Sequence, residues 1–200
     1  MSDVVTLTLR ARPEQPLDVE GLTPEGCAAL SEQEIASLPV WTGGRHAALG
    51  DFFSVRGGRA VRVRVVGDLV DVHGLGAGTG AGELTIDGPA GHRVGAGMRG
   101  GVVVVHGHVG DDAGLAMAGG TLRVHGDAGH RLGAASPGAS RGMTGGEILV
   151  EGRVGDDAAA RVRRGLVVVG GGTGAFAGRA MVAGTLLVFG RVGQIGRAHV

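Results

Sequence analysis

Basic and acidic residues alternate as four pairs at regular intervals in the second half of the chain. Histidine and carboxylate side chains often serve as general acids, general bases and metal ligands. The alternation also has a structural explanation, because opposite charges on neighbouring turns of a repeating fold attract each other and fix its register. We interpret the pairs as such a charge ladder, with catalysis as the alternative. They are His92-Arg93, Asp111-Asp112, His130-Arg131 and Asp156-Asp157.

A second set of candidate metal ligands consists of five residues, each of which directly precedes a glycine. These residues are His73, Asp87, His106, His125 and Glu151. A catalytic zinc ion normally takes three protein ligands that converge on it. Side chains in a straight column diverge instead, so we predict an outward polar column without a bound metal.

Other catalytic signatures are missing from the sequence. Residues 74–80 are glycine-rich, but all 19 basic residues are Arg, so a phosphate-binding P-loop would lack its Lys. G-x-S-x-G, CxxC and HExxH motifs are also absent. We therefore predict no catalytic, cofactor-binding or metal-binding residue on this chain.

Charge and composition exclude several other classes. The 19 basic residues balance 19 acidic ones, so no net field attracts nucleic acid or an anionic membrane. The single Cys27 permits no internal disulfide. Neither a secretion signal nor an apolar stretch of about 18 residues is found, so we expect a cytoplasmic protein without membrane or nucleic-acid partners.

The elements that position these residues form a repeat. Strands of the form G-x-φ-x-φ-x-G, with φ apolar, end at glycines 88, 107, 126, 152, 171 and 190, which are 19, 19, 26, 19 and 19 residues apart. A fixed period predicts a solenoid. The longer interval contains Ser-Pro-Gly-Ala-Ser-Arg-Gly at 136–142, which we interpret as an insertion that loops out of one coil.

The coils are predicted to be β-structure. Nineteen residues are too few for a β-α unit, and the general preference of parallel crossovers indicates a right-handed parallel β-helix over residues 61–200. Residues 1–60 form a small N-terminal α/β segment with a strand at 4–9 and a helix from Ser31. G-x-x-x-G pairs are predicted to form the corners of the coils. These structural glycines are Gly91, Gly95, Gly110, Gly114, Gly129, Gly133, Gly174 and Gly178.

Strand side chains alternate, so each strand has an inner and an outer set. The φ positions form the inner aliphatic columns, and Met98, Met117, Met143 and Met181 fill the corners. Several outer positions are apolar, which predicts a partner face; the alternative is that residues 1–60 cover them. These candidates are Val102, Val104, Leu166, Val168, Leu187 and Phe189.

Several segments resemble a known family. They include GAGMRGG at 95–101, the insertion followed by RGMTGG at 141–146, MVAGTLLVFGRVG at 181–193 and the lead-in at 22–57. They resemble the C-type subunit of formylmethanofuran dehydrogenase and its bacterial relative, the C-type subunit of the formyltransferase/hydrolase complex. The resemblance covers nearly the whole chain.

The resemblance implies a structural subunit that is non-catalytic itself. Its expected partners are subunits of the A, B and D types, and the complex is expected to use methanofuran-type and tetrahydromethanopterin carriers, none of them bound by this chain. We expect formaldehyde oxidation in methylotrophic bacteria, because the Arg-only composition suggests a bacterial source. The alternatives are the archaeal methanogenic formylmethanofuran dehydrogenase, the β-helix domain of a glutamate synthase-like amidotransferase, and a β-helical hydrolase or lyase.

The repeat pattern should continue after Gly193 with another coil. The chain instead ends with Gln-Ile-Gly-Arg-Ala-His-Val at 194–200. A solenoid needs a cap on its last coil. We therefore expect either that a partner covers this end or that the chain is a shortened version.

Overall fold

The computed structural model describes residues 3–194, and these residues belong to the all-β class. Short helices α1 (Pro24–Cys27), α2 (Glu32–Ala36) and α3 (Leu49–Phe52) occur in the N-terminal part. The strands there are β1 (Val5–Leu9), β2 (Leu17–Asp18), β3 (Pro39–Thr42), β4 (Arg45–Ala48) and β5 (Phe53–Arg56). The repeat region contains β6 (Arg62–Val66), β7 (Val72–His73), β8 (Glu83–Asp87), β9 (Arg99–Val105), β10 (Gly119–Val124), β11 (Glu147–Val150), β12 (Leu166–Val169) and β13 (Thr185–Val188).

One long sheet holds one strand from each coil. Its order is β13-β12-β11-β10-β9-β8-β6-β1-β5, and all neighbours are parallel except β1 and β5. Val103 pairs with Leu122, and Leu122 pairs with Ile148. Paired residues of neighbouring strands are therefore 19 or 26 residues apart, the same intervals that separate the strand-closing glycines in the sequence. This register confirms the predicted repeat.

A second line of pairing runs along the other side of each coil. Parallel bridges join Leu69 to Ala90, Val109, Ala128, Val154, Thr173 and Val192 in succession. Successive coils are thus joined in the long sheet and at this column, and further backbone hydrogen bonds join them at the corners, for example from the Gly114 N–H to Val94 O at 2.8 Å. From Ala90 onwards, consecutive bridge residues are again 19 residues apart except across the insertion.

The core is built from the inner columns and from methionine. The φ positions of β9 to β12 are completely or almost completely buried, whereas Leu186 and Val188 of β13 are partly buried. Met98, Met117 and Met143 are fully buried, and Met181 packs against the core from a partly buried position. Flexible thioether side chains suit the irregular space at a corner.

The insertion leaves the stack and returns to it without disturbing the register. After the loop, the Gly142 N–H donates to Arg161 O at 2.9 Å and the Met143 N–H donates to Gly133 O at 3.1 Å. The chain therefore resumes the coil where it left it. This closure explains why one interval is seven residues longer than the others while β10 and β11 still pair in register.

The N-terminal part pairs with the first coil at two places, along β6 and at β7. β1 lies between β5 and β6, while β2 pairs with β7 and with β3. Helix α2 begins with a capping box in which Ser31 and Glu34 hydrogen-bond to each other's backbone N–H. The division into two domains at residue 60 stays a prediction.

No helix within residues 3–194 is long and apolar enough to cross a membrane. The expectation about the end of the stack concerns residues 194–200, of which only Gln194 lies within the described residues.

Candidate functional site

The candidate partner face is the outer side of the long sheet. Val102 is 39 % exposed and Leu187 is 46 % exposed, while Val104, Leu166 and Val168 are half-buried. Phe189 lies one residue beyond β13 and is 77 % exposed. All six predicted positions therefore lie at the surface of the chain.

The register divides these six positions into separate groups. One outer column contains Val102, Thr121, Glu147, Leu166 and Thr185, in that order. The neighbouring column contains Val104, Arg123, Leu149, Val168 and Leu187. Polar residues of β10 thus separate the two valines of β9 from the rest.

Leu149 is a surface residue that the sequence analysis missed. It is half-buried and lies next to Val168, so Leu149, Val168 and Leu187 form an unbroken apolar strip across three adjacent strands. The alternation in GEILVEG was a sufficient signal, because Leu149 occupies the same outer position there as Val168 in GLVVVGG.

Within the described residues, the N-terminal part does not cover this face. Strands β1 and β5 join the long sheet at the β6 edge, while β2, β3 and β4 form a second sheet with β7. None of these described strands pairs with β8 to β13. The exposure of Val102 and Leu187 agrees with this arrangement. The alternative explanation for the apolar outer positions is therefore wrong.

The charged corner pairs form a ladder of hydrogen bonds from backbone to side chain. The Asp111 N–H donates to His92 Nδ1 at 2.9 Å, the His130 N–H donates to Asp111 Oδ1 at 2.8 Å, and the Asp156 N–H donates to His130 Nδ1 at 2.9 Å. The ladder continues in the same way at Ala175. Each side chain thus satisfies a backbone donor one coil further along, which gives these residue types a structural role.

Ion pairs between successive coils lie beside the ladder, and one of them joins the second members of two corner pairs. Arg131 donates to both carboxylate oxygens of Asp112, at 2.7 and 2.6 Å, and Arg179 lies 2.9 Å from Asp157. The hydrogen bond to Asp112 raises the pKa of Arg131. The predicted attraction between successive coils is therefore present at these pairs.

The column of candidate metal ligands contains four of its five predicted members. Asp87, His106, His125 and Glu151 lie at the ends of consecutive strands. The rings of His106 and His125 stack with centroids 4.9 Å apart, and His125 Nδ1 lies 2.8 Å from a Glu151 oxygen. Among residues 3–194, no three histidine, cysteine or acidic side chains are arranged to hold a metal ion.

His73 belongs to the corner ladder and not to this column. Its Nδ1 accepts the His92 N–H at 3.0 Å, and burial lowers its pKa, which favours the neutral ring that can accept this bond. The column position in the first coil is held by Val66, which pairs with Asp87 and precedes Gly67. The prediction that placed His73 in the column is wrong. A glycine follows the short strand β7 as well as the strands of the long sheet, so a following glycine does not by itself identify the column.

The eight predicted corner glycines have two different physical roles. Gly95, Gly114, Gly133 and Gly178 have φ values between 62° and 68°, a conformation that side chains disfavour. Gly91, Gly110, Gly129 and Gly174 lie against the ladder side chain of the preceding coil. At Gly129 a Cβ atom would overlap Asp111 Oδ1 and lie 2.7 Å from the Asp111 N atom.

Comparisons with known proteins give two kinds of match. No family model matches the chain. It is 33 % identical over 96 residues to the C-type subunit of the molybdenum-containing formylmethanofuran dehydrogenase 1 of Methanosarcina barkeri, a match that covers 46 % of this chain and 32 % of the relative. It is also 33 % identical over 93 residues to the C-type subunit of the tungsten-containing formylmethanofuran dehydrogenase 2 of Methanothermobacter thermautotrophicus, covering 44 % and 34 % respectively. The chain thus spans about a third of these curated relatives.

A solved structure matches over a longer stretch. It is a crystal structure of the formyltransferase/hydrolase complex (FhcABCD) from Methylorubrum extorquens in complex with methylofuran. The TM-score is 0.86 with 34 % identity, and the match covers 92 % of this chain and 69 % of that chain.

Proposed function

The chain belongs to the family of C-type subunits of formylmethanofuran dehydrogenases and formyltransferase/hydrolase complexes, and from this premise we propose that it is the structural C-type subunit of such a complex. The complex would act in tetrahydromethanopterin-linked one-carbon metabolism, with formaldehyde oxidation in methylotrophic bacteria as the preferred setting. The likeness to the Methylorubrum extorquens assembly carries the proposal, since it extends over 92 % of this chain.

We propose that catalysis resides in partner subunits. The support is positive: His92 and His130 each accept a backbone N–H of the next coil at Nδ1, the single lone pair of a neutral imidazole, and Asp111 accepts one at Oδ1, so these groups already hold the stack. A general base needs a free lone pair directed at its substrate. The carriers, of methanofuran and tetrahydromethanopterin type, would then bind to the partners, and methylofuran in the similar complex supports the first of these.

The proposed architecture is a right-handed parallel β-helix over residues 61–200, preceded by a small segment of residues 1–60. Parallel pairing in the long sheet and the parallel bridge column support the β-helix. Parallel crossovers are nearly always right-handed, which supports the hand. The N-terminal segment acts as a cap on the first coil, because β1 covers the sheet edge that β6 would otherwise expose.

The proposed surface for the A-, B- or D-type subunits is the outer face of the long sheet. Its centre is the apolar strip of Leu149, Val168 and Leu187, with further apolar positions beside it. Contiguous apolar surface of this kind commonly marks a protein interface. Arg123 and Glu147 in the same two columns supply polar groups that would orient a partner.

Co-purification from the native cell tests the subunit role. A tagged chain is expected to bring down A-, B- and D-type subunits in fixed ratio, as identified by mass spectrometry. Recovery of the chain alone, or with none of these subunits, would refute the proposal. The double variant Leu149→Lys, Val168→Lys should lower partner recovery about tenfold, which corresponds to about 1.4 kcal/mol.

The matched control is Arg153→Ser, an exposed residue beyond the end of β11. It should leave partner recovery unchanged, and circular dichroism should report the same fold for all variants. Equal recovery with the double variant and the control would place the interface elsewhere.

Metal analysis distinguishes the two kinds of complex in this family. The curated relatives are named as molybdenum-containing and tungsten-containing dehydrogenases. Molybdenum or tungsten in the purified complex would favour the dehydrogenase alternative. Formyltransferase activity without either metal is the result expected for the preferred proposal.

A further inference from the structure

Three arginines line a pocket between the insertion and the coils that follow it. The pocket has a volume of about 440 Å³ and is lined by Arg141, Thr144, Arg163, Arg164 and Val182. Arg141 comes from the insertion, whereas Arg163 and Arg164 precede strand β12. We call this site the arginine pocket.

The positive charges of the arginine pocket are not neutralised within the described part of the chain. No carboxylate of residues 3–194 lies within 4.0 Å of a guanidinium nitrogen of Arg141, Arg163 or Arg164. Arg131 and Arg179, at two other corners, each pair with an aspartate of the preceding coil. Three like charges beside one pocket repel each other, and an anion between them would replace this repulsion with attraction.

The Nε atom of Arg163 gives a second and independent indication. It is buried and has no hydrogen-bond partner among residues 3–194. Buried donors in folded proteins nearly always have a partner, so an unpaired one beside a pocket indicates an acceptor from outside the chain. A bound oxyanion would supply that acceptor once the Arg163 side chain turns its Nε atom toward the pocket.

Arg164 also departs from the repeat. The 19-residue spacing and the insertion place it in the position that Gly100, Gly119 and Gly145 hold in earlier coils. At Gly119 a Cβ atom would overlap Arg99 O of the coil before it. A long charged side chain therefore replaces a glycine at the coil whose corner the insertion contacts, through the hydrogen bond from Gly142 to Arg161 O.

We propose that the arginine pocket is a binding site for a ligand that carries at least two oxyanion groups, either carboxylates or phosphates. Guanidinium groups present paired N–H donors that match the two oxygens of such groups. The volume of about 440 Å³ accommodates a small polyanion. The site is independent of the structural role proposed above, because it depends only on residues of this chain.

Isothermal titration of the full chain with pyrophosphate and, separately, with citrate tests the site. Saturable binding of at least one anion at one equivalent is expected, and the stronger of the two identifies phosphate or carboxylate as the preferred group. The double variant Arg163→Gln, Arg164→Gln should weaken this binding at least tenfold. Arg153→Gln, at an exposed residue beyond the end of β11, is the matched control and should bind as the unchanged chain does.

Arg141→Gln provides a second variant that is safe for folding, because Arg141 is exposed on the insertion. It should weaken binding about threefold or more. Failure of both anions to bind the unchanged chain would overturn the proposal, and so would equal binding by the double variant and the control. Circular dichroism of each variant confirms that a loss of binding is not a loss of fold.

Discussion

Substitution of Gly129 by Ala tests the idea that the corner glycines make room for the ladder. Gly129 lies over Asp111, whose side chain accepts the His130 N–H at 2.8 Å. A Cβ atom at residue 129 would overlap Asp111 Oδ1, and it would lie 2.7 Å from Asp111 N and 2.8 Å from Gly110 C. The backbone atoms cannot rotate aside, so the two coils must separate locally.

The expected loss of stability follows from these contacts. Overpacking of this kind costs about 2 kcal/mol, and a backbone donor that loses its acceptor costs about 1 kcal/mol more. A total of about 3 kcal/mol corresponds to a decrease in Tm of about 6 to 12 °C for a chain of this length. Thermal unfolding followed by circular dichroism measures it.

Gly97→Ala is the matched control. Gly97 has a φ of 64° but open space where a Cβ would lie, so only the unfavourable backbone conformation should cost stability, about 1 to 2 kcal/mol. The double variant Asp111→Ala, Gly129→Ala should lose less than the sum of the two single variants, because the overlap with the carboxylate is gone. A Gly129→Ala protein as stable as Gly97→Ala, or strictly additive single changes, would refute the reasoning.

Three further predictions concern buried and half-buried groups. Met117→Ala removes a fully buried corner side chain and should cost about 2 to 5 kcal/mol in urea unfolding, more than the same change at the partly buried Met181. Burial raises the pKa of Cys27 to about 11, so its thiol should react slowly with a thiol reagent at pH 8. The stabilising contribution of Cys27 should be present below pH 9 and disappear as the pH rises through 11. The variant Cys27→Ala should remove this pH dependence of the free energy of unfolding. Burial lowers the pKa of His73, so His73 should stabilise the fold above pH 6.5 and lose this effect as the pH falls through its pKa in the folded state. The variant His73→Asn should therefore reduce the dependence of the free energy of unfolding on pH at acidic pH.

Much of the stack could be predicted because its pattern is periodic. The spacing of the strand-closing glycines reproduces the pairing of β8 to β13, and the alternation within each strand separates Val103 and Val105 of the core from Val102 and Val104 of the surface. The insertion at 136–142 was also recognisable as a break in an otherwise constant interval. A repeat carries its own register, so these features need no information about distant contacts.

Polar side chains were less predictable, because their partners depend on the local direction of the backbone. His73 and His106 both precede a glycine, yet the first accepts a backbone N–H at a corner and the second stacks on His125 at the end of a strand. The carboxylate of Asp112 binds Arg131, and the carboxylate of Asp111 accepts a backbone N–H, although the two residues are adjacent. A difference of one residue changes the face of the corner on which a side chain lies.

The sequence by itself determined the period, the inner and outer sides of the strands, and the positions at which glycine is needed. Only the tertiary structure decided that β1 of the N-terminal part pairs in parallel with β6, and that Arg141 of the insertion lines one pocket with Arg163 and Arg164. The physical reason is that the first set of features repeats from coil to coil. The second set arises from single contacts between segments far apart in the chain, which no periodic pattern encodes.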